Sequence, residues 1–532
     1  MNIKSIMNRD EYSIEETLDK IIAFLSVYEY SEVMKLFAYT NIKLNSEGVN
    51  SSGYKVSPRL SRNIPFVYVT KSESGNKRIN NIDKVANQYI DLLDELTMCY
   101  TNIIDYSQRD SFHKSYLSYH LDYPPISIRQ YFRFFHINRD IVGEVYKVDK
   151  DNIDDFIHSL FLLMNFERAW KKKFRFSPYA NFIKWRNSNS TVKFTIVNIF
   201  YQLPVKMIKM LFNEFKIDCS DAINKLFLDS SSIKKSEETI YPTNIKKMYP
   251  QFFGLKNNKF VTFMRNLNVL NSVYEHVMNS EEFEKHKGDY LEERTEVVLK
   301  YMFGNDNVYH GIFDECGNEQ DFIVIFNDYI ISLECKASKF TEPFVNQDKA
   351  QKRLEQSFKK TIQKGYSQAE RIAENFRKGR FKFYNGDKVG KRQEVLDIST
   401  YDIEKFQSVI VTMDQYHNLG TELHLSIKQS ENINLPLVID INSFEILLQK
   451  CKISYNIDKF IEYLDRRTEF YGLVFPANSD ELDCFGYFLK YGSIMKGPIG
   501  NLFINIGPGY SSFVTDILEI DNFMIFNELY EI

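Results

Sequence analysis

The stretch from Asp321 to Lys336 constrains the fold more than any other part of the chain. Two apolar runs, Phe322-Ile323-Val324-Ile325-Phe326 and Tyr329-Ile330-Ile331-Ser332-Leu333, are joined by Asn327-Asp328. Runs of β-branched and aromatic residues around a two-residue turn signal read as two strands of a tight hairpin. Asp321 opens the first strand, and Glu334-Cys335-Lys336 closes the second. A side-chain period of two puts Glu334 and Lys336 on the same face of their strand, and the hairpin brings Asp321 beside them. The apolar flanks make the second strand an interior one, where unpaired charge is expensive. Charges at its end therefore need a metal or polar partners. The plain alternative is a surface hairpin carrying an exposed ion pair of little energetic value.

Elements on either side place this hairpin in a layered α/β block. An amphipathic helix is expected over 290–303, with Leu291, Val298 and Met302 on one face, stopped at Gly304. A strand follows at Val308–Phe313. After the hairpin come a long helix from Asp348 to Arg377 ending at Gly379, strands at Ser408–Thr412 and Leu437–Ile441, and a helix through Phe444, Leu447 and Leu448. That order predicts a mixed sheet flanked by helices. At 532 residues, and with about 100–200 residues per domain, the chain holds more than one domain. Residues 1–280 read as mainly helical, with helical spacing at Leu18, Ile21, Ile22 and Leu25 and again at Ile90, Leu93 and Leu96. Residues 281–450 form the α/β block, and 451–532 a smaller α+β region.

Asp321 and Glu334 are hard oxygen ligands of the kind that suit Mg2+, which keeps waters and takes phosphate oxygens as further ligands. A lysine beside such an ion orients or helps deprotonate water and offsets charge on a pentavalent phosphorane. The Asp-x12-Glu-x-Lys arrangement, on adjacent strands after a glutamate-bearing helix, resembles the PD-(D/E)XK or restriction-endonuclease-like nuclease superfamily. The resemblance covers about residues 285–450. It implies a restriction-endonuclease-like fold and a Mg2+ or Mn2+ ion held by Asp321, Glu334 and the Cys335 carbonyl, with Lys336 at the attacking water. It further implies a helix glutamate, Glu292 first with Glu293 or Glu296 as fallback, and a helix glutamine, Gln368. The chain departs from the family pattern in having Gln320 and not proline directly before Asp321, a proline that is often missing in the family. Asp314 is the rival first carboxylate, but Asp314-Glu315-Cys316-Gly317-Asn318 reads as a turn. Glu214-Phe215-Lys216 repeats the spelling in a helical pattern, where i and i+2 do not share a face. His310 reads as a core or rim histidine.

Net charge is -4, yet residues 336–395 hold 16 Lys+Arg against 7 Asp+Glu. Basic residues beginning at the site lysine suit a phosphate backbone, with Lys352, Arg353, Lys359, Lys360 and Arg371 as contacts. Trp170–Phe176 is a second basic-aromatic stretch that either extends this track or ends an ordinary helix. The expected partner is nucleic acid, DNA ahead of RNA by family analogy, with a homo-oligomer or defence-system proteins as further partners. The expected function is a DNA endonuclease in microbial restriction or antiphage defence; the alternatives are a ribonuclease or a non-cleaving nucleic-acid-binding or assembly module. No run approaches the roughly 18 apolar residues of a membrane span, and Met1–Glu16 lacks the apolar stretch of a secretory signal. Six scattered cysteines without CxxC fit reduced thiols in a cytoplasmic protein.

Overall fold

Helical segments with apolar residues three and four apart open the chain. The computed structural model describes residues 13–47, 58–71, 75–102, 128–164, short stretches between 201 and 262, 268–338, 347–386 and 392–521 with brief gaps. They belong to two compact units, parted between Glu284 and Lys285. In the first unit, α1 (Ile14–Ser26) is started by a capping box: Ser13 accepts the Glu16 N–H, and the Glu16 side chain accepts the Ser13 N–H. Its Leu18, Ile21 and Leu25 pack with residues of α2 (Tyr30–Glu47), α3 (Pro58–Lys71) and α4 (Ile82–Asn102), among them Phe37, Val67, Leu93 and Leu96. Further on, α5 (Ile128–Ile137), α6 (Arg139–Tyr146) and α7 (Ile153–Met164) precede four short strands. These are β1 (Tyr201–Pro204), β2 (Phe227–Asp229), β3 (Phe252–Leu255) and β4 (Lys259–Thr262), in the order β1-β4-β3-β2. The mainly helical reading of this region did not include these strands. Strands of three or four residues are too short for a period of two to show. After them, α8 (Asn268–Met278) packs Tyr274 edge-on against Phe134 of α5, ring centroids 4.5 Å apart.

The helix before the hairpin, α9 (Glu281–Phe303), starts earlier than the expected Tyr290. Glu281, Glu282 and Glu284 suit the positive end of the helix dipole, and the Glu- and Lys-rich stretch favours helix. Gly304, at φ 88°, ends it. Then come β5 (Val308–Asp314), β6 (Glu319–Phe326), β7 (Tyr329–Lys336), α10 (Gln347–Phe358), a π-helical turn at Lys359–Gln363, and α11 (Lys364–Arg377). An edge hairpin, β8 (Lys382–Asn385) and β9 (Gln393–Asp397), leads to β10 (Lys405–Thr412), α12 (Asn418–Thr421), β11 (Leu437–Asp440) and α13 (Ile441–Ser454). The C-terminal stretch adds α14 (Ile457–Arg467), β12 (Val474–Phe475), α15 (Glu481–Tyr491), β13 (Ile504–Asn505) and α16 (Ser512–Asp521), all within the second unit. No helix of the described residues is long and apolar enough to cross a membrane.

Seven described strands of the second unit form a mixed sheet of order β11-β10-β7-β6-β5-β8-β9, and β12 and β13 pair separately. β7 is an interior strand, antiparallel to β6 and parallel to β10. All of β7 but Lys336 is buried, as expected of a strand covered on both faces. On one face, Ile372 of α11 packs with Ile323, Ile325 and Ile330. Close approach there depends on Gly365, since a Cβ would stand 3.0 Å from Ile410 Cδ1.

β5 changes face at Gly311. Ile312 belongs to the Ile372 cluster, whereas His310, two residues earlier, stacks on Phe322, centroids 4.4 Å apart. Side chains two apart in a regular strand share a face, so the strand twists over at Gly311, whose φ is +61°. A Cβ at Gly311 meets nothing within 4 Å. Gly311→Ala is therefore expected to destabilise the fold only through added backbone strain, by about 1–2 kcal/mol, read as a lower denaturant midpoint.

Candidate active site

The hairpin forms with Phe326 opposite Tyr329 across Asn327-Asp328, and its ladder runs to the Phe322–Leu333 pair. Beyond Leu333, β7 stays paired to β10 through Lys336 and Thr412, but its edge toward β6 opens. The freed Cys335 N–H donates to Asp321 Oδ2 at 2.7 Å. On the next residue, Lys336 Nζ donates to Glu334 Oε2 at 2.6 Å and to the Cys335 carbonyl at 3.2 Å, and lies 3.7 Å from Asp321 Oδ2. Asp321, Glu334 and Lys336 are thus together, and one ammonium lies where two carboxylates and a carbonyl converge. The two carboxylate oxygens are well inside the ~8 Å beyond which they could not share an ion with bonds of about 2.0–2.1 Å.

Glu334 is 1% exposed. Burial, with the Asp321 charge adding to it, pushes its carboxyl up to about 7, although Lys336 and Arg371 pull the other way. For Lys336, burial disfavours the charged form, but Glu334 and Asp321 more than offset it and hold the ammonium above its usual range. The Glu334 shift has a consequence for stability. Its folded value lies above the unfolded one, so the fold loses stability as pH rises from about 4.5 to 7 and no further above that. The loss is about 3 kcal/mol at most, at 1.36 kcal/mol per unit. In chelator, the stability advantage of Glu334→Gln over wild type should widen by up to that amount between pH 5 and 8. A constant difference across that range in denaturant unfolding would refute this.

The supporting residues divide by face. On the α9 side, Cys335 Sγ contacts Thr295 Oγ1 at 3.4 Å. Glu292 lies 3.6 Å from His310 Nε2, and Glu296 3.1 Å from His310 Nδ1. The Glu292 hydrogen bond raises His310, with Glu296 adding to it against burial. Glu296 also pairs with Lys300 at 2.6 Å, while Glu293 is exposed. On the α11 side, Gln368 is half-buried and its Oε1 has no hydrogen-bond partner among the described residues.

Arg371, expected to contact nucleic acid, is turned inward. It donates to the Glu319 carbonyl at 2.8 Å and pairs with Asp314 at 3.5 Å. Asp314 itself accepts from the Cys316 and Asn318 backbone and from Asn318 and Asn375 side chains. It organises its turn, which leaves Asp321 as the carboxylate facing Glu334 and Lys336.

Sequence reasoning passed over Gln320. This residue is fully buried, and its Nε2 donates to Glu334 Oε1 at 2.7 Å and to the Leu333 carbonyl at 3.0 Å. A polar residue in line with a buried strand was its available signal.

Lys352, Arg353, Lys359 and Lys360 are exposed on α10 and the π-helical turn. The basic run is not wholly free, since Lys382 pairs with Glu394 and Asp397, and Arg392 donates to the Asp314 and Glu315 carbonyls. Trp170–Phe176 and Glu214-Phe215-Lys216 lie outside the described residues.

Among the described residues, no group of three or more His, Cys, Asp and Glu side chains is arranged to hold a metal. The donors at hand are two carboxylates and a carbonyl, all hard oxygens, a set that suits a hydrated Mg2+ rather than a fully protein-caged ion. No family model, curated protein or solved structure matches the chain.

Proposed function

We propose that the chain is a metal-dependent nuclease of the PD-(D/E)XK kind, hydrolysing phosphodiester bonds and acting on DNA as an endonuclease. The observation that carries this reading is the meeting of Asp321, Glu334, the Cys335 carbonyl and Lys336 at the open end of β6 and β7. An ammonium among three oxygen donors marks a point where positive charge is stabilised. The interior place of β7 in a mixed, helix-flanked sheet is compatible with it.

Asp321, Glu334 and the Cys335 carbonyl would hold Mg2+ or Mn2+. When bound, the ion supplies Lewis-acid polarisation of the phosphate and a water of lowered pKa. Lys336 holds the attacking water in line and offsets charge gathering on the phosphorus oxygens. Glu292, which lies against His310, and Gln368, with its unpartnered oxygen, are the helix residues that the resemblance would add to this site. The exposed Lys352, Arg353, Lys359 and Lys360 attract the nucleic-acid backbone, and this attraction weakens with salt. Restriction or antiphage defence in a microbial cytoplasm is the role we assign to such an enzyme.

The test is cleavage of linear, supercoiled and single-stranded DNA and of RNA by the purified full-length chain with Mg2+ or Mn2+. Cutting that wild type performs and Lys336→Ala does not supports the reading. Identical behaviour of the two proteins on every substrate overturns it. Binding without cutting by both would point to the non-cleaving module instead.

A further inference from the structure

We propose that Gln320 is a positioning residue for the cation site, fixing the Glu334 carboxylate so that one of its oxygens faces the cation. The proposal rests on the metal-dependent reading above. Each oxygen of Glu334 has its own partner: Oε1 accepts from Gln320 Nε2 at 2.7 Å, and Oε2 accepts from Lys336 at 2.6 Å. Both acceptors of the Gln320 amide, Glu334 Oε1 and the Leu333 carbonyl, require a donor, so the nitrogen must be the atom that faces them.

Gln320 and Glu334 are 0% and 1% exposed, so water cannot take over this role. Without the Gln320 bond, the carboxylate is free to turn about its last torsion, and a ligand held less firmly binds an ion less tightly.

The other half of the amide shows that packing alone does not account for the residue. Gln320 Oε1 is buried and has no hydrogen-bond partner among the described residues. An unpartnered buried oxygen costs free energy that an apolar side chain of the same length would avoid. What glutamine supplies and methionine would not is the N–H toward Glu334. The backbone change at Gly311 matters here too. Gln320 pairs with Ile312, beyond the change of face, and so shares the side of the sheet on which Glu334 and Lys336 lie.

The experiment is a titration of full-length wild type, Gln320→Met, Gln320→Glu and Asp321→Asn with MnCl2, following free Mn2+ by electron paramagnetic resonance. Unfolding midpoints are recorded in chelator. Wild type should bind Mn2+, and Gln320→Met should bind it about 10–100-fold more weakly, as expected of a residue that orients a ligand. Gln320→Glu keeps the shape and replaces the donor with an acceptor facing Glu334; it should lose at least as much, and it stands in if the methionine variant does not fold. Affinity within about twofold of wild type in a folded Gln320 variant overturns the proposal. Failure of wild type to bind, or equal binding by Asp321→Asn, overturns instead the metal-site reading on which it rests.

Discussion

Lys336→Ala is expected to lower metal-dependent DNA cleavage by on the order of 10^2–10^3-fold, the usual cost of removing one charge-stabilising donor from a reacting centre. Lys336 is held by two carboxylates and a carbonyl within a single cluster. Its loss therefore removes a charge at the reacting phosphate without opening an apolar cavity. Folding should survive, because Lys336 sits at the strand end and is the residue of β7 not fully buried. Asp321→Asn should be at least as damaging to cleavage, since it also takes away the acceptor of the Cys335 N–H. The distinguishing measurement is single-turnover cleavage at saturating enzyme, where a defect in DNA binding alone would vanish. A Lys336→Ala rate within tenfold of wild type under those conditions would remove the lysine from the chemistry. Near-equal loss in Lys336→Ala, in Asp321→Asn and in their combination is the pattern of residues acting as one unit.

The central hairpin was legible because three local signals coincide: two apolar runs, a two-residue turn and charges at matching ends. The strands β6 and β7 and the turn at Asn327-Asp328 formed as read, and so did the stop at Gly304. The edge hairpin β8–β9 was hidden for the opposite reason. Lys382, Asn385, Gln393 and Glu394 are exposed, so no apolar alternation announces the strands, and tertiary pairing with β5 decides them. The change of face at Gly311 could not be read either, because a glycine in a strand leaves φ open. With it went Gln320, whose relation to Glu334 depends on that backbone and not on spacing. The basic run showed the limit of counting charge. Exposed Lys352, Arg353, Lys359 and Lys360 fit the phosphate-binding expectation, while Arg371 and Arg392 spend their donors on the backbone of the Asp314 turn.

The second large effect concerns stability. Glu481→Leu and Arg467→Met are each expected to destabilise the second unit by about 3–5 kcal/mol, because each leaves a buried charge without its partner. The Arg467 and Glu481 side chains are 3% and 4% exposed and paired twice, Nε to Oε1 at 2.7 Å and Nη2 to Oε2 at 3.1 Å. Around that pair, Tyr463 donates its hydroxyl to Glu481 Oε1, Arg467 donates to the Thr421 carbonyl at 2.9 Å, and its guanidinium lies 4.5 Å from the centre of the Tyr471 ring. Burial works against the charged guanidinium, yet Glu481 and its neighbours more than compensate and raise its pKa far above the ordinary value. These contacts join α12, α14 and α15, so the loss should appear as a lower denaturant midpoint for the whole unit and not as fraying of one helix. The double variant Arg467→Met/Glu481→Leu decides between a pair that stabilises outright and one that chiefly avoids an orphaned charge. Replacing both ions with apolar groups removes their desolvation cost, so the double should be less destabilised than the two singles combined, by about 2 kcal/mol or more. Additive losses would mean that the two residues act through separate contacts, and single losses below about 1 kcal/mol would place the pair in the weak, solvent-screened class.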